Sequence, residues 1–333
     1  MTSRVVRFHH TGAPEVLQIE TLDTPAPGPG EVRIRVQAIG LNRAEAAFRA
    51  GQYFETPQLP ARIGYEAAGV VDALGPDVNH LAIGSAVNTL PGFSMNRYGV
   101  YGEYAIVPAI ALMPRPTMGA VDSAALWMAY LTAYGALVDI AHLQAGDAVL
   151  ITAASSSVGL AAIEIANAIG AVPIAVTRTP AKAAELRAAG ATHVIVSDSE
   201  DIAADTMRAT NNRGAALAFD PIAGPMVDRL AAALRPQGML ILYGNLSGLA
   251  MDMRFPFGIA ALRGLSLRGY LVFEIINDPQ RPQRARDFII AGVANRSLKP
   301  RIAKVFDFDN IVAAHRYLES NAQLGKVVVK VAE

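Results

Sequence analysis

Between Ala148 and Tyr243 the chain repeats one pattern: a short continuous apolar run, then a stretch of helical character. The runs are Ala148 to Thr152, Val172 to Thr177, His193 to Val196, Ala215 to Phe219 and Met239 to Tyr243. Helical stretches read over Val158 to Ile169, closed by Gly170, over Pro180 to Ala189, closed by Gly190, and over Met226 to Leu234. Glycine just past a helix is a preferred stop. Strands that are apolar throughout are covered on both faces, and alternation with helices makes them parallel. The pattern predicts an α/β fold with a doubly wound parallel sheet.

The flanks have a different texture. Val5 to Phe8, Glu31 to Ile39, Ala67 to Leu74, Tyr104 to Val107 and Ala111 to Met113 read as strands, and the proline/glycine turn from Thr24 to Glu31 admits no helix. They predict a small β-barrel-like domain. Asp122 to Ile140 reads as one long apolar helix, and Phe306 to Phe308, Asn310 to Ser320 and Val327 to Val331 return to the β style. The expected division is residues 1–120, rejoined by 300–333, around an inserted domain of 121–299; 333 residues suit two cores better than one.

Composition removes several function classes. Formal net charge is zero, so nothing in the charge favours a nucleic acid. There is no cysteine, which excludes disulfides, thiolate nucleophiles and sulfur-ligated metal. The N-terminus enters a strand directly, without a signal-peptide core, and a cytoplasmic protein is expected. The longest apolar stretches carry Glu164, Asn167 and Pro173, or Asp122 and Asp139, and read as core elements, not membrane spans.

The segment Leu150 to Leu160 runs from a buried strand through Ala153-Ala154-Ser155-Ser156-Ser157 into a helix beginning Val158-Gly159. A helix N-terminus offers free N–H groups and partial positive charge to a pyrophosphate. Of the three glycines in the dinucleotide fingerprint, only Gly159 is present; Ala154 and Ser156 hold the other positions. A plain strand-to-helix turn capped by Ser156 or Ser157 has the same appearance. The second strand ends at Thr177-Arg178, with Lys182 close behind, where NAD-binding domains usually carry an acid. Cations there attract a 2′-phosphate, so NADPH is expected over NADH; solvated charges at a helix start are the alternative.

These features, together with Pro27 to Val32, Gly64 to Val71, Leu131 to Leu137 and Gly325 to Val329, resemble the medium-chain dehydrogenase/reductases, within them the zinc-independent quinone oxidoreductases. The resemblance runs nearly end to end and implies a GroES-like domain plus a Rossmann domain, usually in a homodimer or homotetramer. It also implies where zinc is lost. The cysteine and histidine positions of the alcohol dehydrogenase branch look like Asn42 and Tyr65, leaving Glu66 alone. One carboxylate cannot make a zinc site, so no metal is expected.

Without a Lewis acid, the natural hydride acceptors are already activated: quinones and α,β-unsaturated carbonyls. Donors must then stabilise the oxyanion or enolate. From the resemblance, Asn42 and Tyr53 are the candidate catalytic contacts. Tyr53 as proton donor competes with solvent, and with a purely structural ring. The candidate cofactor set is Thr132, Ser155, Ser156, Ser157, Val158, Gly159, Thr177, Arg178, Lys182, Ser197, Gly244, Asn245, Leu246, Leu271, Val272, Phe273, Asn321 and Lys326. Thr132 bonding its own helix backbone, and Lys326 as a surface charge, are the bland alternatives. The loop Pro91 to Tyr104, with Phe93, Met95, Tyr98 and Tyr101, either covers an apolar substrate or packs on the barrel. An enoyl-thioester reductase, or a non-catalytic crystallin-like or RNA-binding protein, are the competing readings.

Overall fold

The structure, a computed structural model, describes residues 1–331. The chain opens with β1 (Thr2–Arg7), β2 (Gln18–Asp23), β3 (Glu31–Gly40), α1 (Arg43–Arg49), β4 (Glu66–Leu74), β5 (Ala86–Thr89), α2 (Met95–Tyr98), β6 (Tyr104–Pro108), β7 (Leu112–Pro114) and α3 (Ala120–Ser123). α4 (Trp127–Tyr134) continues as a π-helical turn over Gly135–Ile140. Then come β8 (Ala148–Ile151), α5 (Ser157–Ala168), β9 (Val172–Thr177), α6 (Ala183–Ala188), β10 (His193–Val196), α7 (Ile202–Ala209), β11 (Ala215–Asp220), α8 (Met226–Ala233), β12 (Leu234–Leu242), α9 (Phe257–Arg263), β13 (Ser266–Gly269), α10 (Phe273–Ile276) and α11 (Arg281–Ala294). The chain ends through β14 (Ile302–Asp307), α12 (Ile311–Glu319) and β15 (Lys326–Lys330).

Two compact units result, Met1–Met128 with Pro300–Glu333, and Ala129–Lys299. Residues 121–128, which the change of texture assigns to the inserted domain, lie in the first unit. There Ala124 and Ala125 pack with Ala38, Ala68 and Val328, and the Ser123 carbonyl accepts from Asn88 at 3.1 Å.

The first unit is GroES-like. Its large sheet runs β14-β15-β3-β4-β5-β7, with β6 also on β3, and β1 and β2 form a separate pair. The last strand is therefore interior: β15 pairs in parallel with β14 and antiparallel with β3. The second unit is a Rossmann sheet of order β10-β9-β8-β11-β12-β13, parallel throughout. Its apolar strands carry Leu150, Ile174, Ala218 and Leu240 into one core with Val227 and Leu230 of α8. Strand order reverses between β8 and β11, and in open sheets of this kind ligands bind outside the strand C-termini at such a reversal.

α12 is anchored by a buried charge network. Arg49, 1% exposed, donates to the Gly12 carbonyl at 3.0 Å and to both carboxylate oxygens of Glu319 at 2.9–3.1 Å. Its Nη1 also lies 3.1 Å from His315 Nδ1. A guanidinium only donates, so Nδ1 accepts and the imidazole is neutral with its proton on Nε2. Burial, reinforced by the Arg49 charge, pushes His315 down to about 3. Below the ordinary value of about 6.5 the unfolded chain then binds a proton that the native one refuses. Stability falls as pH drops from there toward 3. His315→Gln, which keeps an acceptor for Arg49, is expected to remove about 1.4 kcal/mol per pH unit from that slope between pH 6 and 4. Urea unfolding across this range measures it, and an unchanged slope contradicts the assignment.

Candidate active site

In the second unit, β8 ends at Ile151 and the chain turns sharply. Thr152 Oγ1 hydrogen-bonds Asp220 Oδ1, and the other Asp220 oxygen accepts the Ala223 N–H at 2.7 Å. Burial raises the Asp220 carboxyl while these donors hold it down. Ala153 takes φ 45°, and Ser156 caps α5, its Oγ accepting the Gly159 N–H at 3.0 Å. A Cβ on Gly159 would sit 2.6 Å from the Ala154 backbone, so the third fingerprint position admits glycine alone. The other two tolerate the alanine and serine found there.

The ends of β8, β9 and β10 bring several of the expected residues together. Ser155 Oγ lies 3.2 Å from Lys182 Nζ. The Ser197 N–H donates to the Thr177 carbonyl at 2.8 Å, and the Asp198 N–H to that of Arg178 at 3.2 Å. Burial, and then the Arg178 charge, lower the Lys182 ammonium, against the pull of Glu185. Arg229 of α8, absent from the sequence expectations, donates to the Ser197 carbonyl at 2.8 Å. Nothing in spacing or composition marked it.

Past β12, Gly244-Asn245-Leu246 folds over the end of β11, with the Leu246 N–H on the Pro221 carbonyl at 2.8 Å and Asn245 Oδ1 accepting from Ala250 at 3.0 Å. The Tyr243 ring stacks on Phe219 at 4.0 Å, and its hydroxyl is buried. Thr132 on α4 is buried. Leu271 and Val272 join β13 to Phe273 at the start of α10, Leu271 half-exposed and Val272 buried.

The first unit holds a second polar cluster. Lys326, 1% exposed, donates to Glu66 Oε2 at 2.6 Å and Asn42 Oδ1 at 2.5 Å. Glu66 Oε1 accepts the Met128 N–H at 3.0 Å, at the start of α4. Asn42 precedes α1, and its Nδ2 is shared among the Gly40 carbonyl at 3.1 Å, Glu45 at 3.3 Å and Glu66 at 3.4 Å. Glu45 accepts the backbone N–H groups of Asn42 at 2.8 Å and Tyr65 at 3.1 Å. Burial pushes its carboxyl up to about 7, against the pull of Lys326. The sequence reading gave Asn42 and Lys326 to substrate and cofactor; the structure commits their polar atoms to each other and to two buried carboxylates. Lys326 is not a surface charge. Asn321, in a left-handed turn, hydrogen-bonds Arg43.

These groups do not suit a zinc ion. An ammonium already rests on Glu66, and its neighbours are an amide and a phenol. Among the described residues no three histidine, aspartate or glutamate side chains gather as ligands.

Beside this cluster runs a row of rings. Tyr53 lies 3.9 Å from Phe54 and 6.3 Å from Tyr65; Tyr65 lies 5.7 Å from Phe93, and Phe93 6.1 Å from Tyr98. The Tyr53 and Tyr65 hydroxyls interact with each other, and burial pushes both phenols up. Phe93, Met95 and Tyr101 are buried, so the aromatic loop packs into its unit.

A Rossmann unit with a serine-capped loop, joined in one chain to a GroES-like unit holding a buried polar cluster, defines the class of two-unit dinucleotide oxidoreductases. The family models agree: "Alcohol dehydrogenase GroES-like domain" matches residues 28–117 and "Zinc-binding dehydrogenase" residues 157–290. The "Synaptic vesicle membrane protein VAT-1 homolog" of Rattus norvegicus is 31% identical over 94% of this chain and 80% of its own length. A "2-haloacrylate reductase" from Burkholderia sp is 28% identical over 97% of each chain. The crystal structure of Escherichia coli quinone oxidoreductase complexed with NADPH superposes with a TM-score of 0.89, at 25% identity, covering 99% of this chain and 100% of that one. The chain belongs to the medium-chain dehydrogenase/reductase superfamily, in its quinone oxidoreductase branch.

Proposed function

We propose that this chain is an NADPH-dependent, metal-independent oxidoreductase that passes hydride to a quinone or an α,β-unsaturated carbonyl. One observation carries the cofactor choice: Lys182 Nζ lies 3.2 Å from Ser155 Oγ of the loop, with the Arg178 charge acting on it, a basic group of the kind that suits a 2′-phosphate. The NADPH held by the Escherichia coli relative supports it. The Burkholderia relative, by its name, reduces an acrylate, a conjugated double bond, which supports the acceptor class.

Bound NADPH supplies the hydride; the chain supplies position and a proton. The capped start of α5 orients the pyrophosphate by its N–H groups. Hydride reaching the conjugated carbon leaves negative charge on the substrate oxygen. Tyr53 donates the proton there, its oxygen then accepting from Tyr65. Asn42 and Lys326 are positioning residues, holding Glu66 and with it the first turn of α4.

NADPH absorbance followed against quinones, enones and enoyl thioesters tests the function. A saturable NADPH titration with turnover of quinone or enone supports it; binding without any turnover leaves the non-catalytic reading. Tyr53→Phe is expected to lower kcat on an enone about 10- to 100-fold with NADPH affinity unchanged; a kcat within twofold of the parent removes Tyr53 from the mechanism.

We also propose a cytoplasmic homodimer or homotetramer. β13 ends its sheet with one side unpaired, and Met251, Phe257 and Leu262 nearby in sequence are strongly exposed. Such an edge calls for cover. Light scattering that returns the monomer mass would refute this.

A further inference from the structure

At the far end of β3 from Gly40, the first unit has a cavity of about 260 Å³ lined by Ser3, Thr24, Arg62, Arg97, Tyr98 and Tyr104, with Glu31 at its side. We infer that this cavity is a binding site for a small oxyanion, a carboxylate or a phosphate, held by the guanidinium of Arg62. No residue assigned above to the cofactor lines it; of the aromatic loop, Arg97, Tyr98 and Tyr104 do.

The argument starts from the charges. Glu31 is already satisfied: it accepts the Gly28 N–H at 2.9 Å, the Tyr98 hydroxyl at 2.9 Å and Arg97 at 3.2 Å. That pairing accounts for Arg97, which also lies over the Tyr98 ring at 4.7 Å. Arg62 has no such account. It is partly buried, and among the described residues no carboxylate or carbonyl hydrogen-bonds it. Desolvation, and then the like charge of Arg7, both act against its cation. Arg7 is itself spent on Glu20 at 3.1 Å.

Two arginines and one carboxylate therefore leave one positive charge without a carboxylate partner in this cavity. A desolvated cation without a partner costs stability, and a planar fork of donors matches carboxylate or phosphate oxygens. The hydroxyls of Ser3 and Thr24, 2.6 Å apart, need only one proton between them, which frees the other to donate into the cavity. The base of the Arg62 side chain is closely packed. The Gly99 backbone closes on it so tightly that a Cβ there would fall 2.7 Å from Arg62 Cβ and 2.4 Å from the Ile63 nitrogen.

The test follows thermal melting of the full chain saturated with NADPH, so that phosphate cannot act through the dinucleotide loop. Sodium phosphate and sodium acetate are titrated against sodium chloride at equal ionic strength. A saturable rise of about 2 °C is expected with phosphate, acetate or both, and the two arms tell which oxyanion is held. Arg62→Gln should abolish the rise and, in chloride, melt no lower than the parent, because it removes an unpaired charge. Arg62→Lys, with the charge but not the fork, should need at least about tenfold more anion. Equal melting in all three salts, an undiminished rise in Arg62→Gln, or a clear loss of stability for Arg62→Gln in chloride each overturns the inference.

Discussion

Lys326→Met is expected to destabilise the protein by about 3–5 kcal/mol, enough to remove a large part of an ordinary domain's stability. The reason is Glu66, fully buried, whose Oε2 loses its ammonium partner at 2.6 Å. The Met128 N–H and the amide of Asn42 remain, but neither carries a full charge. Adding Glu66→Gln to the same variant removes the stranded charge and is expected to recover at least half of the loss. The single tryptophan, Trp127, buried beside Met128 at the start of α4, reports the unfolding by fluorescence in urea. A loss below about 1 kcal/mol, or a double variant no better than the single one, would show that the pair carries little of the cluster's stability.

The second large effect concerns the cofactor. Arg178→Ala with Lys182→Ala is expected to raise the NADPH KM about 100-fold while shifting the NADH KM less than about threefold. Each charge-assisted contact to a phosphate oxygen contributes roughly 1.5–3 kcal/mol, and only NADPH brings that phosphate. Steady-state kinetics with both cofactors and one quinone measures the ratio. A parallel rise in both KM values would mean that the pair supports the loop and does not read the phosphate.

Five of the six strands of the parallel sheet were legible in the chain because their apolar runs are continuous and stand out without help from their neighbours. β2, β13 and α11 were not. Their outward residues dilute the pattern, and α11 begins Arg281-Pro282-Gln283-Arg284. α7 carried a readable start signal in Asp201, whose carboxylate accepts the Ala204 N–H at 2.9 Å, but its core face has only Ile202 and Thr206 to show. The stretch from Asp122 to Ile140 read as one helix. In the structure it is a short turn, a helix and a π-helical segment, and Gly135 lies so close to Tyr270 that a Cβ would meet its hydroxyl at 2.1 Å. No local pattern announces that neighbour.

In the site, the serine-rich bend and the basic pair lie within one βαβ unit, so short-range spacing exposed them. The partnership of Lys326 with Glu66 spans most of the chain, and a lysine opening an apolar strand carries no sign of which acid awaits it. Arg229 was missed for the same reason: its target is a backbone carbonyl, which has no sequence identity.

The interior place of β15 has a consequence for how the polypeptide is made. During synthesis β3 and β4 emerge long before their final companion, while Ala129 to Lys299 is already whole and free to fold. Until β15 leaves the ribosome, the carboxylate of Glu66 lacks Lys326 and β3 keeps a raw edge. The half of the molecule that is translated first thus waits for β15, and a nascent chain stalled before that strand would expose its incomplete side to chaperones.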